Sequence, residues 1–237
     1  MRLTTEGLDN LPQRPHVIVA LHEGVADPMI LTQLPLAMRF VAREEIFGWP
    51  WIGPAIRHMR HIAVDPERGA ASYRSMLTAA AAASSAGEHV VMFPQGTVLG
   101  IETAFQLGAF RLARALEAPI LPVVLTGSHR IWEHPFSPTL RYGEVVAMVV
   151  LPPVPAAEVR ACGPENVRSD LQRRMKSIAL APSLPAPRRY VPGRDGFWDG
   201  YAFEIDPEFP QVLDAVQGHR GIAGVPASNR RRALAMR

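Results

Sequence analysis

The sequence predicts an α/β domain with a sheet covered on both faces. The main observation is that short β-branched runs alternate with helical stretches from about residue 16 to 126, the pattern of strands joined by packed helices. A second is that Val17-Ile-Val-Ala-Leu21 is apolar throughout and so reads as a buried strand rather than a half-exposed one. Length and composition agree. A chain of 237 residues that is 48% hydrophobic and 20% charged has room for one domain with appendages and buries a sizeable core. Its mean hydropathy near zero excludes a disordered chain and a polytopic membrane protein.

The elements follow in order. After the first strand comes Asp27-Pro28. Asp is a good N-cap and Pro is favoured at the first helical position, so a helix is predicted from there to about Leu36. Met29–Leu36 is apolar almost all round, as burial between the sheet and a second layer requires. Phe40-Val-Ala42 reads as a strand, Pro50–Met59 as a helix and His61-Ile-Ala-Val64 as a strand. Gly69–Ala86 is Ala-rich and helical, with Gly87 placed to end it. His89–Phe93 is a strand, 94–104 a loop, Gln106–Glu117 a helix and Ile120–Leu125 a strand. Val145–Leu151 and a helix near Asn166–Leu180 complete the domain. In that helix Val167, Leu171, Met175 and Ile178 share a face, and Arg168, Arg173, Arg174 and Lys176 lie off it. Met1–Pro15 contains no apolar core segment.

Residues 1–181 are therefore expected to form the domain. Residues 182–193 hold four prolines and read as a linker or an extended wrap. The cluster Phe197, Trp198, Tyr201 and Phe203 would dock this extension, 182–215, on the core. The tail 216–237 carries five arginines and no acidic residue, and is expected to be solvated and mobile. It also suits contact with anionic headgroups.

The single Cys162 excludes an internal disulfide framework and a multi-cysteine metal site. Arginine supplies all but one of the 25 basic residues, and the net charge is +3. That bias fits a GC-rich genome as well as acidic or phosphorylated partners. Neither a signal peptide nor a run of the ~20 apolar residues needed to span a bilayer is present, so membrane contact is expected to be peripheral.

The chemistry-bearing residues lie where strands end. His22 follows the first strand, and Asp27 follows it at i+5. On a helix such positions are about 140° apart, so the two side chains meet only across a turn, with Gly24 supplying flexibility. A carboxylate that holds one imidazole nitrogen leaves the other as a base near neutral pH. Taken singly, His22 also suits a surface position and Asp27 a helix cap.

Three further segments accompany this pair. They are Phe40–Gly53 continuing to Val64-Asp65, then Phe93-Pro-Gln-Gly-Thr97, then Ile120-Leu-Pro-Val-Val124. With His22-Glu-Gly-Val-Ala-Asp27 as an H-x4-D block, the ordered set resembles the PlsC-like 1-acylglycerol-3-phosphate acyltransferase family across roughly residues 8 to 155. Trp198–Asp206 also looks like tails of some bacterial members. The resemblance implies a mixed central sheet flanked by helices, with a C-terminal extension. It implies acyl transfer from acyl-CoA or acyl-ACP to a hydroxyl of a lysolipid, with His22 as base and Asp27 as its orienting partner. The direct attack needs no acyl-enzyme, in keeping with the lack of a Gly-x-Ser-x-Gly elbow; Ser128 reads as a turn residue.

The same resemblance makes Arg43, Arg57 and Arg68 candidates for the acceptor phosphate, together with Gln95, Gly96 and Thr97 of the third block. Backbone N–H groups near Gly96-Thr97 are candidates for the oxyanion. Trp49 and Trp51 would line an acyl groove, pack in the core or touch the membrane. The implied partners are acyl-CoA or acyl carrier protein, a lysolipid and the membrane surface, with no metal, no redox cofactor and no nucleic acid. The implied location is cytoplasmic, peripheral on the inner face of the membrane. Two departures stand out: Gln95 replaces the family Glu, and Val98 stands where a basic residue is often found. The second block also ends Asp65-Pro-Glu-Arg68 rather than Asp-Arg. They allow an acceptor other than lysophosphatidic acid or a catalytically weakened lipid- or carrier-binding relative. A third reading of the same dyad is a soluble thioesterase in which it activates water.

Overall fold

The computed structural model describes residues 1–133, 140–191, 195 and 203–212. Among these, the strands are β1 (Arg2–Glu6), β2 (Val17–Ala20), β3 (Met38–Arg43), β4 (Ile62–Val64), β5 (His89–Met92), β6 (Ile120–Thr126) and β7 (Val145–Val150). They form a seven-stranded sheet in the order β1-β7-β6-β2-β5-β3-β4. The pair β6–β7 is antiparallel and the others are parallel, which makes the sheet mixed. The helices are α1 (Asp27–Leu31), α2 (Gly53–His58), α3 (Ala70–Ser85), α4 (Gly108–Ala115), α5 (Ala156–Cys162) and α6 (Pro164–Ala179).

The alternation of side chains along a strand divides the core in two. Val17 and Val19 of β2, with Leu21 beyond it, join Met76 and Ala80 of α3, Phe110 of α4 and Leu171 of α6 on one face. Ile18 and Ala20 face the other way, towards Ile30 and Leu31 of α1 and Leu34 beyond it. Both faces of β2 are thus covered, and its four residues are all buried, which is why the run is apolar at every position. On α3 the buried residues Met76, Ala80 and Ala83 repeat at helical spacing. Gly87, with φ of 83°, ends that segment in the left-handed region.

Several boundaries differ from expectation. Arg2–Glu6 is a strand, though its sequence has no strand pattern. As an edge strand paired only with β7, it is exposed except at Leu3 and needs no apolar alternation. Helix α1 stops at Leu31 rather than Leu36, and Met29 on it is 56% exposed. Its cap is Ala26, with Asp27 already inside the first turn, so the Asp27 carboxylate does not cap the helix. Helix α5 was not foreseen. Lys176, placed off the apolar face of α6, is buried at 2% exposure.

From the C-terminal extension, Tyr190, Phe203, Ile205 and Phe209 pack with Leu99 in a third apolar cluster. Phe197, Trp198 and Tyr201 lie outside the described residues, as does the tail 216–237. No helix among the described residues is long and apolar enough to cross a membrane.

Candidate active site

Strands β2 and β5 run parallel with Val17 opposite Val90 and Val19 opposite Met92. The same offset, carried past both strands, brings Gln95 level with His22. The two C-terminal strand ends therefore deliver the first and third blocks to one place, as open α/β sheets deliver their sites.

The His22 Nδ1 lies 2.7 Å from Asp27 Oδ2. An ionised carboxylate only accepts, so Nδ1 carries a proton, and in the neutral ring Nε2 holds the lone pair. The Asp27 side chain is 0% exposed and the His22 side chain 18% exposed, so the acid is sealed behind a ring that solvent still reaches. Asp27 Oδ2 also accepts the N–H groups of Glu23 at 2.6 Å and Gly24 at 3.0 Å. The i+5 spacing thus closes through a turn wrapped around one carboxylate oxygen. Asp27 Oδ1 has no hydrogen-bond partner among the described residues. The imidazole stacks on Phe93, with centroids 4.0 Å apart and planes 18° apart, which fixes the ring in the plane that meets Asp27.

Gly24 serves close approach rather than flexibility. A Cβ there would lie 2.7 Å from the Trp132 carbonyl oxygen and 3.1 Å from His129 Cα. The motif turn is pressed against the loop after β6, and Val25 N–H donates to the Trp132 carbonyl at 3.0 Å.

Gln95 is buried at 1% exposure. Its Oε1 accepts the His22 N–H at 2.7 Å, and its Nε2 donates to the Gly100 carbonyl at 3.1 Å. The residue that departs from the family pattern therefore holds the backbone of His22, and its amide suits both neighbours. Gly96 adopts φ of 69°, and its N–H donates to the Phe93 carbonyl at 3.1 Å. That N–H is committed within the turn and is not a free oxyanion donor in this geometry. Thr97 follows, half-buried.

The arginines divide by position. Arg43 ends β3, half-buried, two strands along the sheet edge from His22; at ~4.8 Å per strand that is about 10 Å. Arg57 is exposed on α2, and its Nη1 donates to the Phe47 carbonyl. Arg68 is 66% exposed and pairs with Glu44 at 3.5 Å and Asp65 at 3.4 Å. Trp49 is half-buried. Trp51 is 83% exposed, which excludes it from the core.

Sequence reasoning missed Glu23. It is 3% exposed. Its Oε2 accepts the Gly127 N–H at 2.8 Å and lies 3.2 Å from His129 Nδ1. Burial pushes its carboxyl above the ordinary value, and the hydrogen bond with His129 opposes the rise. The available signal was a carboxylate beside His22 just after a fully apolar strand.

A family model described as Acyltransferase matches residues 2–126. The chain belongs to the Acyltransferase family. Relatives of this acyltransferase-family chain include the 1-acyl-sn-glycerol-3-phosphate acyltransferase of Limnanthes alba, 29% identical over 58% of this chain and 50% of that protein. The enzyme of the same name from Pseudomonas aeruginosa is 26% identical over 52% of this chain and 49% of that one. The chain spans about half the length of these curated relatives. The crystal structure of the 1-acyl-sn-glycerophosphate (LPA) acyltransferase PlsC from Thermotoga maritima superposes with a TM-score of 0.62 at 21% identity, covering 74% of this chain and 70% of that one. At that identity the likeness bears on the fold, which is the mixed α/β sheet described above.

Proposed function

We propose that the chain moves a fatty acyl group from acyl-CoA or acyl-ACP to a hydroxyl of a lysophospholipid or related lipid, with His22 and Asp27 as its catalytic pair. The observation that carries this is the His22–Asp27 contact of 2.7 Å at the mouth of parallel strand ends. Its Nε2 edge belongs to a ring that solvent reaches. In the reaction, Nε2 takes the proton of the acceptor hydroxyl as its oxygen attacks the thioester carbonyl. Asp27 balances the imidazolium that forms. Collapse of the tetrahedral intermediate breaks the C–S bond, and the imidazolium returns the proton to the departing thiolate. No acyl-enzyme intervenes.

Relatives named for 1-acyl-sn-glycerol-3-phosphate favour a phosphorylated acceptor. Arg43 is the first candidate for its phosphate, because it shares the sheet edge with His22. Arg57 and Arg68 are further candidates. The Arg68 ion pairs are exposed, and such pairs are worth about 0–1 kcal/mol, so a phosphate dianion can displace them. Gln95 acts in this scheme by holding the His22 backbone, with Gly96 and Thr97 shaping the adjoining turn. Trp51, with Met59 at 52% exposure and the exposed Arg57 and Arg60, supports peripheral contact with the inner membrane face from the cytoplasm. Trp49, two residues before Trp51, is half-buried. We assign residues 1–181 to the acyltransferase domain and 182–215 to an extension, of which Tyr190, Phe203, Ile205 and Phe209 pack with Leu99.

The test is product formation with acyl-CoA and acyl-ACP, each against a panel of lysophosphatidic acid, other lysophospholipids and water alone. Ester formation that depends on a lysolipid supports the proposal. Thioester loss without an acceptor would show a thioesterase. Lysolipid binding with no turnover of either donor would show a lipid-binding relative.

A further inference from the structure

The C-terminal extension crosses the loops that carry the site. Ile101 N–H donates to the Arg188 carbonyl at 3.0 Å. Tyr190 N–H donates to Glu102 Oε2 at 2.9 Å, and the Arg189 guanidinium binds Glu102 Oε1. The buried Arg188 guanidinium bridges the Leu99 carbonyl, Glu133 and Asp195. Two glycines make room for this crossing. A Cβ at Gly100, where φ is +143°, would lie 2.6 Å from Tyr190 N; one at Gly127, where φ is +86°, would lie 2.9 Å from Pro185 Cβ. Farther along, Asp206 meets the buried Lys176 Nζ at 2.6 Å, and Ala104 N–H donates to the Glu204 carbonyl at 2.8 Å. The loop between Gln95 and α4 is thus held from outside by residues 184–191 and 203–209.

This strap reaches His22 by two routes. On one side it packs on Gly100, whose carbonyl accepts Gln95 Nε2, and Gln95 Oε1 accepts the His22 N–H. On the other side, Arg188 N–H donates to Glu23 Oε1 at 3.2 Å, and Glu23 N–H donates to Asp27 Oδ2. A buried carboxylate is costly unless its hydrogen bonds are met. Glu23 meets them by joining the motif turn, the loop after β6 and the strap.

We propose that docking of residues 184–191 sets the geometry of the His22–Asp27 pair, with Glu23 as the positioning residue that transmits it. This rests on His22 being the base. A catalytic group displaced by about 1 Å can lose ~100-fold in rate, so a hold on both sides of His22 is reflected in turnover before it is reflected in binding.

The test compares wild type with Glu23→Gln and Arg189→Ala, reading kcat, donor KM, thermal midpoint and the imidazole resonances of 15N-histidine-labelled protein. His22→Ala assigns the His22 signals. Gln cannot accept from Gly127 N–H and Arg188 N–H and also face His129 as a carboxylate does. Glu23→Gln is expected to lower kcat about tenfold or more, leave donor KM within about twofold and shift or broaden the His22 Nδ1–H signal. Arg189, 52% exposed at the outer edge of the strap, gives a smaller loss of the same kind, with the fold intact, and carries the test by itself if Glu23→Gln does not fold. Wild-type kcat and wild-type His22 resonances in the folded variants would overturn the proposal, as would a change confined to the thermal midpoint. Full turnover by His22→Ala would instead defeat the base assignment, and the His22 resonances would still report whether the strap sets its geometry.

Discussion

Gln95→Glu restores the family residue by exchanging one nitrogen for an oxygen, and the structure predicts harm rather than gain. The lost nitrogen donates to the Gly100 carbonyl at 3.1 Å, in a position 1% exposed. An ionised carboxylate would set oxygen against oxygen there and leave the Gly100 carbonyl with the Thr103 N–H alone, losing a hydrogen bond worth about 0.5–1.5 kcal/mol and burying a charge. The other course is to stay protonated and donate in place of Nε2. Holding a carboxyl of ordinary pKa protonated at pH 7 costs about 3.7 kcal/mol. The variant is therefore expected to lose about 1–4 kcal/mol of stability at pH 7. The folded-state pKa of the new Glu is raised, so its penalty is absent below the unfolded value and grows as pH rises towards the folded one. Urea unfolding of both proteins, followed by tryptophan fluorescence, should show the gap narrow by up to about 2 kcal/mol between pH 7 and 5.5. Turnover should fall as well, because the side chain that accepts the His22 N–H loses its anchor on the Gly100 carbonyl. Equal stability at pH 7, or a gap indifferent to acid, would show that the Gln95 amide is not matched to the Gly100 carbonyl. A large rise in turnover would show that the natural protein is a weakened enzyme.

Further predictions follow from the same geometry. Asp27→Asn keeps the acceptor for the N–H groups of Glu23 and Gly24 but removes the charge facing the imidazolium; a charge-assisted bond is worth about 1.5–3 kcal/mol, so kcat should fall about 10- to 150-fold in a folded protein, and an unchanged kcat would contradict the pairing. His16, His61 and His89 have imidazoles pushed below their ordinary value, chiefly by burial, and the rings of His89 and His61 accept backbone N–H groups at 3.2 and 3.3 Å. The unfolded chain therefore protonates first, and the stability these rings contribute is present above about pH 6.5 and lost as pH falls below it; denaturant midpoints that do not drop between pH 7.5 and 5.5 would count against this. Trp51→Ala should reduce co-sedimentation with anionic vesicles and leave the thermal midpoint unchanged, since the ring is 83% exposed; undiminished sedimentation would remove Trp51 from the membrane face.

Much of the fold could be read from β2, β5 and β6, because strands buried on both faces must be apolar throughout. The edge strand Arg2–Glu6 could not, since it buries little and its pairing with β7 is a contact across more than 140 residues. Leu34 and Leu36 suit a longer helix by composition, although the chain turns after Leu31 and α1 ends there. The pairing of His22 with Asp27 was legible from the motif and its turn. The hold on it was not. Glu23, Gln95 and Arg188 come to the site only once β2, β5 and the strap have been folded together, and Lys176 is buried against the distant Thr103 carbonyl, the Asp206 carboxylate and the Phe105 and Phe209 rings. Such contacts depend on tertiary closure and leave no local period in the sequence.

In the proposed reaction His22 Nε2 removes the acceptor proton. Single-turnover acyl transfer to the best lysolipid acceptor, with saturating donor, measures it most directly in wild type and His22→Ala. Loss of the base should slow ester formation by about 100- to 10,000-fold while donor and lysolipid still bind. A rate within threefold of wild type in the folded His22→Ala protein would rule out His22 as the base.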